Sequence, residues 1–147
     1  MGKLLGIAVK ERSHAPMESL QQASVTTMSG IANDFRGKPS NRQVSLLACE
    51  SWQAVCQKLG EVLPWQIRRA NLYIQGINLQ QTTGQVIQIG QLKLLITQET
   101  APCKRMREVH DGLFEAMVDE WRGGVCCQVL HDGEIKIGDK VEITHDN

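Results

Sequence analysis

Val86-Ile87-Gln88-Ile89-Gly90-Gln91-Leu92-Lys93-Leu94-Leu95-Ile96-Thr97 reads as a β-hairpin, and Gln98-Glu99-Thr100-Ala101-Pro102-Cys103-Lys104-Arg105 follows it directly. Apolar and β-branched runs flank Gly90-Gln91, where glycine permits a tight turn. Beyond the hairpin, Met106, Val109, Leu113, Met117 and Trp121 recur at three- and four-residue steps. That spacing predicts a helix over about 103–121 with one apolar stripe. Proline favours a helix start and Thr100 is a capping residue, so Cys103 is expected in the first turn beside Lys104 and Arg105. A helix N-terminus and neighbouring cations favour thiolate over thiol, which makes Cys103 the candidate reactive cysteine. A small buried hydrophobe is the competing reading of any single cysteine.

The segments on either side of this stretch are mostly strand-like. Residues 3–10, 24–28, 43–47 and 70–76 are apolar or β-branched runs bounded by turn residues. Residues 11–22 are polar, contain His14 and Pro16, and predict a loop. A helix is expected over 50–59, with Trp52, Val55, Cys56 and Leu59 on one stripe and Gly60 as its stop. Cys49 and Cys56 fit that helix as core or near-core residues, since nothing cationic surrounds them. Gly123-Gly124 ends the second helix, Asp132-Gly133 signals a hairpin, Gly138-Asp139 turns again, and 140–144 is the last strand.

About eight short strands with two or three inserted helices predict a mainly β fold. The economical form is a closed or nearly closed antiparallel β-barrel, because closure removes exposed strand edges. The insertion between Thr97 and Val125 would put Cys103 at a barrel mouth, where small-ligand sites are common. The loop Lys38-Pro39-Ser40-Asn41, with Arg36 and Arg42, reads from composition as a solvated connection, with an anion-binding rim as the competing reading.

The chain has 147 residues, enough for one domain (1–147) with a real core. Its 16 Lys and Arg balance 16 Asp and Glu, so no net field draws nucleic acid or an anionic membrane. Five cysteines without paired spacing argue against a disulfide framework. Cys126 and Cys127 are expected on opposite faces of one strand, which separates them as a pair. His14, His110, His131 and His145 form no zinc motif. With no apolar leader or spanning segment in view, a cytoplasmic location is expected.

One ordered set of signals resembles a known family. It comprises Gly30-Ile31-x-x-Asp34, Arg42-Gln43-Val44-Ser45-Leu46, Arg69-Ala70-Asn71-Leu72 with Gly76-Ile77, and Gly84 to Gly90. Pro102-Cys103, Gly123-Gly124, Gly133 and Gly138-Asp139 complete it. Together they are similar to the MOSC domain, named for the C-terminal domain of molybdenum cofactor sulfurase. One departure is visible: Asn33 stands where a glycine usually precedes the aspartate.

The resemblance implies a β-barrel whose cysteine, here Cys103, either carries sulfur or ligates molybdenum of a pterin cofactor. A carrier would take sulfur as a persulfide from a pyridoxal-phosphate cysteine desulfurase, so that pyridoxal phosphate belongs to the partner. A molybdoenzyme is the other expected partner. Arg69 and Asn71 of the Arg-x-Asn motif would hold the pterin and its phosphate, with Arg42, Asp34 and Lys104 as further candidates. Without the resemblance, Arg69 reads as a surface ion pair, and Asp34 and Asp139 as turn caps. Two alternatives follow: a molybdenum-dependent reductase of N-hydroxylated bases or amines, and a non-catalytic binding barrel.

Overall fold

The computed structural model describes residues 2–144; position 1 and positions 145–147, which include His145, lie outside the described residues. Strand β1 (Gly2–Val9) is followed by the short β2 (Glu18–Leu20), then β3 (Gln22–Thr26) and β4 (Gly30–Ile31). After β5 (Val44–Ala48) come helix α1 (Cys49–Leu59), a 3-10 turn at Trp65–Arg68, and β6 (Leu72–Gln75). Strands β7 (Val86–Ile89) and β8 (Leu92–Glu99) form the expected hairpin. The short helices α2 (Arg105–Val109) and α3 (Leu113–Met117) lead to β9 (Val125–His131), β10 (Gly133–Lys136) and β11 (Lys140–Thr144).

Seven strands close into a barrel in the order β1-β11-β7-β8-β9-β5-β6 and back to β1. Strand β1 serves three partners because its length is divided. Gly2 and Lys3 bond to β11, Ile7 to Val9 bond to β2, and the opposite edge takes β6. All barrel pairings are antiparallel except β5 with β6, which α1 and the 3-10 turn connect as a crossover. The barrel is therefore mixed at one seam.

Period-two alternation explains the two cores. In β5, Val44, Leu46 and Ala48 point into the barrel, while Leu47 faces the helices outside. Leu4, Ile74, Ile87, Leu92, Leu94 and Ile96 fill the interior from other strands. A separate sheet, β10-β3-β4, adds Val25, Ile31 and Ile135 to that same core. The outer cluster joins Leu47, Trp52, Val55, Met106, Leu113 and Met117.

Several expectations are corrected. The helix expected over 103–121 is two helices of five residues each. His110 is extended (φ −158°), its ring pairs with Glu61, and Gly112 is left-handed (φ 81°). The break lets Met106 and the Leu113, Ala116, Met117 set reach the outer core separately. Trp121, expected on the same stripe, is left-handed (φ 56°) and packs against the barrel core instead.

The Asp132-Gly133 hairpin is absent, since β10 pairs with β3 rather than β9. Both edges of β9 are occupied, by β8 along one side and by β5 and the Gln43 amide along the other. Gly138-Asp139 turns the chain as expected, and its backbone bonds to both the N–H and the C=O of Leu4 at 2.8 Å. Residues 11–22 are not all loop, since β2 lies among them. Helix α1 matches its expected span closely, with Gly60 left-handed (φ 72°) as its cap.

Candidate functional site

The segment carrying Cys103 is held from both sides before its chemistry begins. Strand β8 delivers it, and the Thr100 N–H donates to the Gly124 carbonyl at 2.9 Å. Arg68, on the 3-10 turn, donates from Nε to the Gly123 carbonyl (3.1 Å) and from Nη2 to the Thr100 carbonyl (3.0 Å). Glycine is required at this crossing. A Cβ on Gly124, whose φ is +91°, would lie 2.0 Å from the Leu46 carbonyl oxygen. Cys103 itself is exposed.

Cys103 precedes α2 instead of sitting in its first turn, and its carbonyl accepts from the Met106 N–H at 2.9 Å. A helix of five residues adds little dipole at its start, so the local field comes from side chains.

A cleft of about 260 Å³ opens on the barrel wall, and Cys103 lines it together with Asp34, Arg42, Arg69 and Asn71. Five of the six residues expected from sequence thus share one cavity. Lys104 is exposed and is not part of the lining. Lys10, Arg36, Arg68, Arg105 and Cys126 complete the polar wall.

Two of the expected residues spend their polar atoms on the fold. Asn71 accepts from the Ser45 N–H (3.0 Å) and donates to the Ala8 carbonyl (3.1 Å), stitching β5 to β1. Asp34 accepts from the backbone N–H groups of Lys10 (3.1 Å) and Arg36 (3.3 Å), closing the turn after β4. Asn33 is left-handed (φ 71°) in that turn, so asparagine keeps the geometry that glycine would provide.

Arg69 is a different case. It is left-handed (φ 64°), its Nη2 donates to the Ala15 carbonyl, and its Nε is buried without a partner. A buried donor left unpaired is costly, and an oxyanion in the cleft would satisfy it.

Neighbouring cations perturb one another here. Burial pushes the Lys10 ammonium below its ordinary range, Arg69 and Arg36 add to this, Asp34 opposes it, and Arg105 lowers it further. Burial also lowers Arg69, with Arg105 contributing. Burial lowers Arg68 as well, against the opposing pull of the Cys103 and Cys126 sulfurs.

A lowered folded-state value for Lys10 means that the fold disfavours its charged form. Stability from this group is therefore missing at low pH, and rises as pH passes from the folded value towards 10.5. An anion in the cleft would oppose this preference by favouring the charged form. Phosphate affinity should thus fall on the alkaline side below pH 10.5, where phosphate is already a dianion, and Lys10→Met should flatten the decline. Calorimetric titration against pH checks this; a decline of equal slope in the variant would contradict it.

Sequence reading missed Arg68, although it is the cleft's buried cation. Its only sequence signal was the tandem with Arg69, and the left-handed turn at Arg69 decides which of the two turns inward. Arg68→Met would orphan the Gly123 and Thr100 carbonyls at about 1–3 kcal/mol each, while relieving the cost of burying a charge. The expected net loss is about 2 kcal/mol, read as a lower urea midpoint. Amide exchange at Thr100 should also speed up, because its segment loses one of its three ties.

Cys126 and Cys127 face opposite ways, as alternation requires. Cys127 lies in the barrel core, where burial pushes its thiol far up, and Cys126 lines the cleft. The Cys126 sulfur lies 3.1 Å from Thr100 Oγ1, another tie onto the Cys103 segment. Cys49 and Cys56 are half-buried on α1, away from the cleft.

These features define a class: a small closed β-barrel whose wall bears a cation-lined cleft with an exposed cysteine at its lip. The chain belongs to the MOSC domain family, whose model matches residues 26–142. That family is associated with molybdenum-cofactor-related function.

Among solved structures, the YuaD protein from Bacillus subtilis superposes with a TM-score of 0.82 at 20% identity, covering 100% of this chain and 98% of that one. YiiM from Geobacillus stearothermophilus gives 0.79 at 14% identity, covering 99% and 76%. YiiM from Escherichia coli gives 0.72 at 13% identity, covering 99% and 71%. At these identities the likeness speaks for the fold. No curated protein matches the chain by sequence. Among the described residues, no helix is long and apolar enough to cross a membrane.

Proposed function

We propose that this protein is a sulfur carrier serving molybdenum-cofactor chemistry, with Cys103 as the sulfur-bearing atom. The observation that carries the reading is the exposure of Cys103 in the same cleft as Arg42 and Arg69. A carrier thiol must be reachable by a donor protein, and a thiol packed inside the barrel would not be.

The transfer balances without an added oxidant. The Cys103 thiolate attacks the terminal sulfur of a persulfide on the donor cysteine. The donor's S–S bond breaks, a new S–S bond forms on Cys103, and the donor cysteine leaves as thiolate. Arg42, Arg69 and Arg105 stabilise the anionic persulfide, and Arg68 fixes the segment that presents it. The pyridoxal phosphate that generates persulfide belongs to the donor, a cysteine desulfurase.

The cleft also suits the anionic end of a pterin cofactor. The unpartnered Arg69 Nε and the surrounding cations fit a phosphate, and Cys103 offers a soft donor to a thiophilic metal. Among the described residues no three His, Cys, Asp or Glu converge as a metal cage, so most ligands of a bound metal would be the cofactor's own. When bound, such a group supplies a redox-active metal centre. This observation favours a second reading, a molybdenum-dependent reductase of N-hydroxylated bases or amines. Elemental analysis of protein made in a cofactor-competent host separates the two, because the reductase requires retained molybdenum.

Mass spectrometry after incubation with a cysteine desulfurase and cysteine tests the carrier reading. One added sulfur on the peptide containing Cys103 is expected. Sulfur on other cysteines alone, or none, would overturn it.

A further inference from the structure

A second basin of about 440 Å³ adjoins the Cys103 cleft and shares Arg36 and Arg42 with it. Phe35, Lys38, Ser40, Asn41 and Gln98 complete its lining. Together the two basins hold seven of the chain's 16 basic residues, adding Lys10, Arg68, Arg69 and Arg105 to those above, and one of its 16 acidic residues, Asp34. The Asp34 oxygens are already engaged by backbone N–H groups. The ion pairs among the described residues use none of the seven cations. A zero net charge therefore conceals a strong segregation of positive charge around Cys103.

An anionic small molecule in the cleft would neutralise the inward cations. It would leave Lys38, which lines only the outer basin, without a counter-charge. Phe35 stands beside it, 48% exposed. Arginine with a solvent-facing aromatic is the composition of protein interfaces.

We propose that the outer basin docks an acidic segment flanking the donor cysteine of the protein that passes persulfide sulfur to Cys103. This rests on the reading of Cys103 as sulfur acceptor, and names the chemistry of its partner. Acidic residues in the basin steer the encounter and hold the donor sulfur near Cys103. The advantage lies chiefly in the association rate.

Two synthetic cysteine-persulfide peptides of equal length test it, one with four flanking aspartates and one with four flanking lysines. At low ionic strength the acidic peptide should load Cys103 about tenfold faster or more. The ratio should approach one in about 1 M salt, where the screening length is about 3 Å. Lys38→Glu should slow loading by the acidic peptide several-fold and leave loading by free cysteine persulfide unchanged. Equal rates for the two peptides, or an acidic advantage that Lys38→Glu leaves untouched, would overturn the docking proposal alone. Failure of every donor, free cysteine persulfide included, would remove the carrier reading and the docking with it.

Discussion

A Cys103→Ser variant is expected to reduce persulfide uptake at this position to background while leaving the barrel intact. The hydroxyl of serine neither ionises near neutral pH nor forms a stable bond to sulfane sulfur, so no remaining group repeats the transfer. The side chain is exposed and its backbone carbonyl keeps the Met106 N–H bond, so stability should change by less than about 0.5 kcal/mol. Uptake is read by mass spectrometry and stability by urea unfolding. Two buried or half-buried thiols, Cys126 and Cys56, provide an internal control, since neither should gain sulfur in place of Cys103. Undiminished loading of the variant would rule out Cys103 as the carrier atom, whatever the cleft binds.

The largest loss of stability is expected from Gln43→Leu. Gln43 is completely buried, and its amide joins three separate stretches of backbone. Nε2 donates to the Thr27 and Gly37 carbonyls, both at 2.9 Å, and Oε1 accepts from the Val129 N–H at 2.9 Å. Leucine fills a similar volume but answers none of these groups. Leaving a buried backbone group unpaired costs about 1–3 kcal/mol, so the sum should be about 3–5 kcal/mol. That is a large share of the roughly 5–15 kcal/mol that holds an ordinary domain together. The damage should also be directional. Gly37 lies in the loop that carries Arg36, which lines the Cys103 cleft, so phosphate affinity should fall more than overall unfolding explains. A variant unfolding within about 1 kcal/mol of the parent would mean that water replaces the amide's bonds.

Local patterns carried much of the fold. The β7–β8 hairpin was legible because Gly90, left-handed at φ 61°, sits between two apolar runs whose pairing registers Ile89 with Leu92. Helix α1 was legible because its stripe and its glycine cap lie within one window. The split of the second helix was not, because the apolar spacing continues across His110–Gly112. The structure breaks the helix there with His110 extended, its ring paired with Glu61, and Gly112 left-handed at φ 81°. The Asp132-Gly133 turn misled for a related reason. A turn signal shows that the chain reverses, but the partner is set by which strand edges are still free.

In the cleft, Cys103, Arg42, Arg69, Asp34 and Asn71 were found through motif order, and the structure brings them to one wall. Their division of labour was hidden. Asn71 and Asp34 meet polar groups of the backbone, and Arg69 keeps a free donor. No spacing rule distinguishes a side chain that braces the cleft from one that faces into it.

By itself, then, the sequence determined the alternation that makes strands, the glycines that let them cross closely, and the cysteine set beside basic residues. These depend on interactions within a few positions along the chain. Only the tertiary structure decided that Arg68 turns inward to bind the Thr100 and Gly123 carbonyls, and that a neutral chain concentrates its positive charge around one exposed sulfur. Burial and field are sums over residues brought together by barrel closure, and no local stretch contains them.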